Sequence, residues 1–195
     1  MSQYFLINIL DCLGNPELES LIESLISDFS CPLNAEIEGF LKRNAVDFAQ
    51  RHSSITYLVL NDAKQLLAYF TLTHKNLFVN AFGLSQTRKR KLRFFATSDG
   101  DVDVFHVSAF LIAQLGRNYS PTIKDGIHGD ALLQMAMDKL REAQRLVGGG
   151  VVFLECENQA KLLAFYQREP NGFFPIGERL SDSDKIHYTQ LVHFL

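Results

Sequence analysis

The sequence predicts an α/β protein whose sheet carries a crossover connection near its centre, and three observations in one stretch support it. Val107 to Leu115 is an apolar run too short to span a membrane, ended by Gly116 and a polar segment containing Pro121, as expected of a buried strand. Downstream, Leu133, Ala136, Met137, Leu140, Ala143 and Val147 recur at helical spacing, while Asp130, Gln134, Asp138, Arg141, Glu142 and Arg145 fill the other faces of a long amphipathic helix. Gly148, Gly149 and Gly150 stop that helix, and Val151 to Cys156 is a near-continuous apolar run, the pattern of a parallel strand buried on both faces.

The other elements fall on either side of this core. Tyr4 to Leu10 reads as a first strand, closed by Gly14, Asn15 and Pro16. Leu18, Leu21, Ile22, Leu25 and Ile26 then form a helical stripe, with Asn15 and Pro16 suited to its cap and first turn. A second helix is expected from near Asn34 to Arg51, with Ile37, Leu41, Ala45 and Phe48 along one side. From Ile55 the period changes to two: Ile55, Tyr57 and Val59, then Leu67, Tyr69 and Thr71, alternate around a turn at Asn61, Asp62 and Ala63, as in a hairpin. Asn80 to Asp101 is mixed in pattern and carries the basic run RKRKLR, Arg88 to Arg93. After the central strand, helix and strand, Asn158 to Arg168 reads as a short helix, and Phe173 to Gly177 and His187 to Phe194 as closing strands.

A chain of 195 residues, 47% hydrophobic and 21% charged, is sized for one packed domain spanning 1–195. Its net charge of -3 makes no global case for a nucleic-acid or membrane partner. Asn8 and Asp11 interrupt the early apolar residues, so no signal peptide is expected and the location read from the sequence is cytoplasmic. Cys12, Cys31 and Cys156 are widely spaced and odd in number, which points to free thiols and to no metal site.

The loop between the central strand and its helix contains Gly126 and Gly129. A loop opening onto a helix start gathers unsatisfied N–H donors at the positive end of the helix dipole, so it can hold a phosphate. With that loop in place, the order of elements resembles the GNAT family of N-acetyltransferases over nearly the whole chain. IKDGIHGDALL is similar to the family's Gln/Arg-x-x-Gly-x-Gly/Ala loop and following Leu-Leu pair, with Lys124 at the first position and Gly129 at the last. Ile127 stands where the family has its inner glycine, and Gly126 lies one residue early. LECENQAKLLAFYQREPNGF is similar to the family's closing strand and helix, matched at Asn158, Tyr166, Gly172 and Phe173, with Glu169, Pro170 and Asn171 inserted. AEIEGFLKRNAVDF and ITYLVLNDAKQLLAYFTL resemble the entry helix and hairpin of a branch that includes acetylating toxins of toxin/antitoxin pairs.

The resemblance implies a mixed, mostly antiparallel sheet with a central parallel pair and flanking helices, and acetyl transfer from acetyl-CoA to a primary amine in a ternary complex. It implies that Leu115, Gly116 and Arg117 offer backbone groups to the pantetheine arm. Lys124, Gly126, Ile127, His128, Gly129 and Asp130 would surround the pyrophosphate, Asn158 would bond the cofactor, and Tyr166 would protonate the departing thiolate. Asn158 is also suited to capping a helix, and Tyr166 to packing on Phe165. For the base that neutralises the amine, Glu155, Glu157 and His106 are candidates, with Glu155 the selected one. The basic run, followed by Phe94 and Phe95, is suited to RNA phosphates, although Asp99, Asp101 and Asp103 offset it. A tRNA, an antitoxin and a second copy of the chain are the candidate macromolecular partners; a degenerate fold kept for binding alone is the alternative to an enzyme.

Overall fold

The computed structural model describes residues 4–97, 104–181 and 185–195. Its elements are β1 (Phe5–Asn8), a 3-10 turn (Ile9–Cys12), α1 (Pro16–Ser27), α2 (Ala35–Arg43), α3 (Ala45–Gln50), β2 (Ile55–Leu60) and β3 (Leu66–Asn80). These are followed by α4 (Gln86–Phe95), β4 (Ala96–Thr97), β5 (Val104–Arg117), α5 (Gly129–Val147), β6 (Val151–Glu157), α6 (Ala160–Gln167), β7 (Phe174–Leu180) and β8 (His187–Phe194). The strands join in the order β1-β2-β3-β5-β6-β8-β7, with β4 on β5. The pairs β1–β2, β2–β3, β4–β5, β6–β8 and β7–β8 are antiparallel, whereas β5 and β6 run parallel, with Phe110 opposite Val152 and Leu111 opposite Phe153. This is the open mixed sheet that the family resemblance implies, with the parallel pair where the apolar runs place it.

The chain divides into two compact units, one of Met1–Thr73 with Ile112–Asp138, the other of His74–Leu111 with Lys139–Leu195. In the first, Ile9, Ile22, Phe29, Leu41, Ala45, Leu58 and Tyr69 form the core. α1 begins as the sequence predicts: the Asn15 side chain accepts from the Glu17 and Leu18 amides at 3.1 and 3.4 Å, and Pro16 opens the first turn. Asn34 caps α2 in the same way.

Several boundaries differ from expectation, three of them at asparagines. The first strand ends at Asn8, not Leu10, because the Asn8 side chain accepts from the Leu10 amide at 3.0 Å and turns the chain into the 3-10 segment. The helix expected over 34–51 is two helices, which meet at Asn44, a residue whose φ of -119° departs from the regular helical value. The helix expected from Asn158 starts at Ala160.

The β2–β3 hairpin turns through Asn61 to Gln65, with Lys64 at φ 58° donating its amide to the Asn61 carbonyl at 2.9 Å. Its strands are stitched by a buried Thr56–Thr71 hydroxyl pair at 2.8 Å.

In the second unit, Leu77, Val79, Leu92, Phe105, Val107, Val151, Phe153, Phe174 and Val192 pack together. The mixed segment resolves into α4, capped by Ser85, carrying the basic run on its polar faces and anchored by fully buried Leu92. Asp99, Asp101 and Asp103, expected to offset that run, lie outside the described residues. Gly148 and Gly149, at φ 77° and 94°, stop α5 in a conformation that side chains disfavour. Cys12, Cys31 and Cys156 are buried free thiols. No helix among the described residues is long and apolar enough to cross a membrane.

Candidate active site

In the first unit, β5 delivers Leu115, Gly116 and Arg117 to the start of the loop. Gly116 is fixed by packing: a Cβ there would lie 2.8 Å from Tyr69 Cε1 and closer still to Ile37, and Tyr69 cannot swing away while its hydroxyl donates to the Ile37 carbonyl at 2.6 Å. The next residue, Asn118, is the loop's clamp. Only 5% exposed, it donates its amide to the Leu67 carbonyl and its side-chain NH2 to the Leu66 carbonyl, each at 2.8 Å. Its side-chain oxygen accepts from the Ser30 and Ser120 amides at 3.0 and 2.9 Å. A lone asparagine after a strand carries no motif, and its role was not read from the sequence.

Beyond the clamp, Lys124, Gly126 and His128 are exposed, while Ile127 is 1% exposed. The isoleucine therefore places its side chain in the interior and anchors the loop. α5 starts at Gly129, and its first helical bond joins the Leu132 amide to the His128 carbonyl at 3.1 Å. The amides of Gly129 and Ala131 precede that bond, in the first turn, where helix geometry supplies N–H groups with no intrahelical acceptor. Arg117 completes the donor set. Its Nε is buried without a hydrogen-bond partner among the described residues, and its Nη2 lies 3.8 Å from where a Gly126 Cβ would stand. A buried guanidinium N–H normally finds an acceptor, so an anion such as a pyrophosphate suits these donors.

In the second unit, Tyr166 on α6 is 9% exposed, edge-on to Phe165 and Phe173. Burial, with a smaller contribution from Cys156, raises its pKa well above the usual phenol value, so the hydroxyl keeps its proton at neutral pH. The inserted residues support this packing. Asn171 donates from its side chain to the Phe165 carbonyl at 2.8 Å, and the Phe173 amide returns to the Tyr166 carbonyl at 3.0 Å.

Asn158 does not cap α6; Gln159 holds that position, and the Asn158 side chain donates to Glu178 at 3.2 Å. Glu155 meets Arg179 and Gln190. Burial pushes its carboxyl up, but the hydrogen bonds from Arg179 and Gln190 and the charge of Arg179 outweigh that and leave its pKa below the ordinary value. Neither Arg179 nor Gln190 was singled out in the sequence. Among the described residues, no group of three or more His, Cys, Asp or Glu could hold a metal ion.

Structures of known proteins share this topology. AtaT complexed with acetyl-methionyl-tRNAfMet is similar with a TM-score of 0.65 and 16% identity, over 99% of this chain and 94% of that one. A tyrosine-to-phenylalanine mutant of KacT is similar with a TM-score of 0.66 and 20% identity, over 98% and 95%. The chain has the GNAT fold. AtaTR bound with AcCoA is similar with a TM-score of 0.58 and 15% identity, over 98% of this chain and 92% of that one. No protein-family model and no curated protein sequence matches the chain, so the GNAT likeness is one of structure.

Proposed function

We propose that this protein is an acetyl-CoA-dependent N-acetyltransferase acting on a primary amine by direct transfer in a ternary complex. The observation that carries the reading is the buried Nε of Arg117, without a hydrogen-bond partner among the described residues, in a side chain whose Nη2 reaches Gly126 of the loop that leads into α5. Similar folds with acetyl-CoA support it.

Acetyl-CoA supplies a thioester acyl group. In this proposal Arg117, Lys124 and the amides from Gly126 to Asp130 hold the pyrophosphate, and backbone groups of Leu115, Gly116 and Arg117 bond the pantetheine arm. The amine nitrogen attacks the acyl carbon, the carbon–sulfur bond breaks, and Tyr166 gives its proton to the thiolate sulfur. Asn158 is the further polar group assigned to the cofactor. Glu155, ionised and tied to Arg179, is a weak proton acceptor, so an amine that is already largely neutral suits this site better than a lysine side chain.

An aminoacyl ester offers such an amine. AtaT, a similar fold, is known with acetyl-methionyl-tRNAfMet, and α4 here carries a cationic run. The proposed acceptor is therefore the α-amine of an aminoacyl-tRNA, with growth arrest as the cellular effect and an antitoxin as the neutralising partner. A thermal-shift titration tests the cofactor reading: ligand at 100 times Kd stabilises by about 2.7 kcal/mol. Acetyl-CoA should raise the unfolding temperature of the natural protein, and Arg117→Met should require at least about tenfold more ligand. No shift in the natural protein would overturn the enzymatic reading in favour of a non-catalytic binding fold.

A further inference from the structure

In the second unit a cavity of about 330 Å³ opens between the first turn of α4 and the strands β7 and β8. Ser85, Thr87, Arg88 and Lys91 line one side, and Phe174, His193 and Phe194 lie opposite. Among the described residues, no acidic side chain lines it.

The two cations are held in place by aromatic rings. The Arg88 guanidinium carbon sits 4.3 Å from the Phe174 ring centre, and Lys91 Nζ sits 5.3 Å from that of Phe194. The rings are themselves packed, 5.5 Å apart, and Phe95 stacks on Phe194. Neither Arg88 nor Lys91 makes an ion pair among the described residues. The two exposed side chains thus rest against the rings with their charges open to solvent or to an outside group. Two hydroxyls, those of Ser85 and Thr87, stand at the same wall as further donors.

We infer that this cavity is a phosphate-binding site for a nucleotide. The cation pair and hydroxyls recognise the phosphate, and the volume beyond them, several times that of a phosphate ion, takes the attached nucleoside. A free nucleotide and a nucleotide within RNA present the same chemistry. None of the lining residues belongs to the proposed acetyl-CoA loop, so the inference stands apart from the cofactor reading, while its RNA arm deepens the tRNA reading of α4.

Calorimetric titration of the full chain tests it with adenosine 5′-monophosphate, adenosine, and a single-stranded RNA oligonucleotide. Adenosine 5′-monophosphate or the RNA should bind, adenosine should not, and the paired substitution Arg88→Gln with Lys91→Gln should weaken binding at least about tenfold. Arg117→Met should leave that binding unchanged. Binding of the mononucleotide identifies a free-nucleotide site, and binding of RNA alone identifies RNA as the source. Should the paired variant fail to fold, Thr87→Glu serves instead, because an acidic residue in a helix's first turn favours the helix yet repels phosphate. Binding of neither phosphate-bearing probe, equal binding of adenosine, or unchanged affinity in the folded variants would overturn the inference.

Discussion

Arg179 holds Glu155 from the neighbouring part of the sheet, its Nη2 at 2.6 Å and its Nε at 3.1 Å from the same carboxylate oxygen, while Gln190 donates to the other at 2.8 Å. The register explains the arrangement: Glu155 of β6 lies opposite Gln190 of β8, and Arg179 of β7 lies opposite the adjacent-but-one residue, Tyr188. Because the folded carboxyl pKa is depressed, the contribution of these contacts is present above the unfolded value, about 4.3. It is lost as pH falls through the lower, folded value. Arg179→Met should therefore lower stability by about 1–2 kcal/mol at pH 7, and urea unfolding should show the deficit closing as the pH falls below the ordinary glutamate range. A deficit independent of pH would instead assign the contribution to packing of Arg179 over the Tyr188 ring.

Gly116 is required by its neighbours. Alanine there would press on the Tyr69 ring and the Ile37 side chain, and the ring cannot yield without breaking its hydroxyl's bond to the Ile37 carbonyl. The expected cost of Gly116→Ala is about 1–3 kcal/mol, read as a lowered unfolding temperature. Combining it with Tyr69→Phe should give less than the sum of the separate losses, since the tie is already gone.

Asn118→Ala should cost about 2–4 kcal/mol, because the buried Leu66 carbonyl and the Ser30 and Ser120 amides lose their side-chain partner. The loop after β5 then loses its tether, and acetyl-CoA affinity should fall as well. A stability loss with unchanged affinity would show that the loop holds its shape through Ile127 alone.

What the sequence made legible follows from the range of the signal. Asn15 with Pro16, the alternation from Ile55 to Thr71, and the stripe from Leu133 to Val147 are local patterns, and each became the expected element. The break at Asn44 is a change of backbone angle without a proline or glycine, and α4 has only Leu92 buried, so neither produced a periodic apolar pattern. The residues that complete the candidate site are non-local. Asn118 acts on Ser30 and Leu66, and Arg179 on Glu155, through contacts that depend on strand register rather than spacing. Ile127 shows the converse case: it breaks a glycine pattern, but the side chain turns into the interior.

Tyr166→Phe isolates the proposed proton donor. The ring sits against Phe165 and Phe173, and phenylalanine can keep both contacts, so the fold and acetyl-CoA affinity should change little. Loss of the proton donor should lower kcat by about 10²-fold or more. Burial, with Cys156, raises the phenol pKa, so the hydroxyl stays protonated throughout the range in which the protein is studied. The natural enzyme should therefore show a rate that rises with pH as the acceptor amine loses its proton, with no alkaline decline from Tyr166. The variant should be slower by a nearly constant factor along that curve. Single-turnover acetylation of an aminoacyl-tRNA from pH 6 to about 9 checks this, a window that reaches past the ordinary α-amine value of about 8, below which the amine of an aminoacyl ester titrates. Full activity in Tyr166→Phe at every pH would make the tyrosine a packing residue. A factor that shrinks steadily toward alkaline pH would mean that the hydroxyl ionises there, against the effect of its burial.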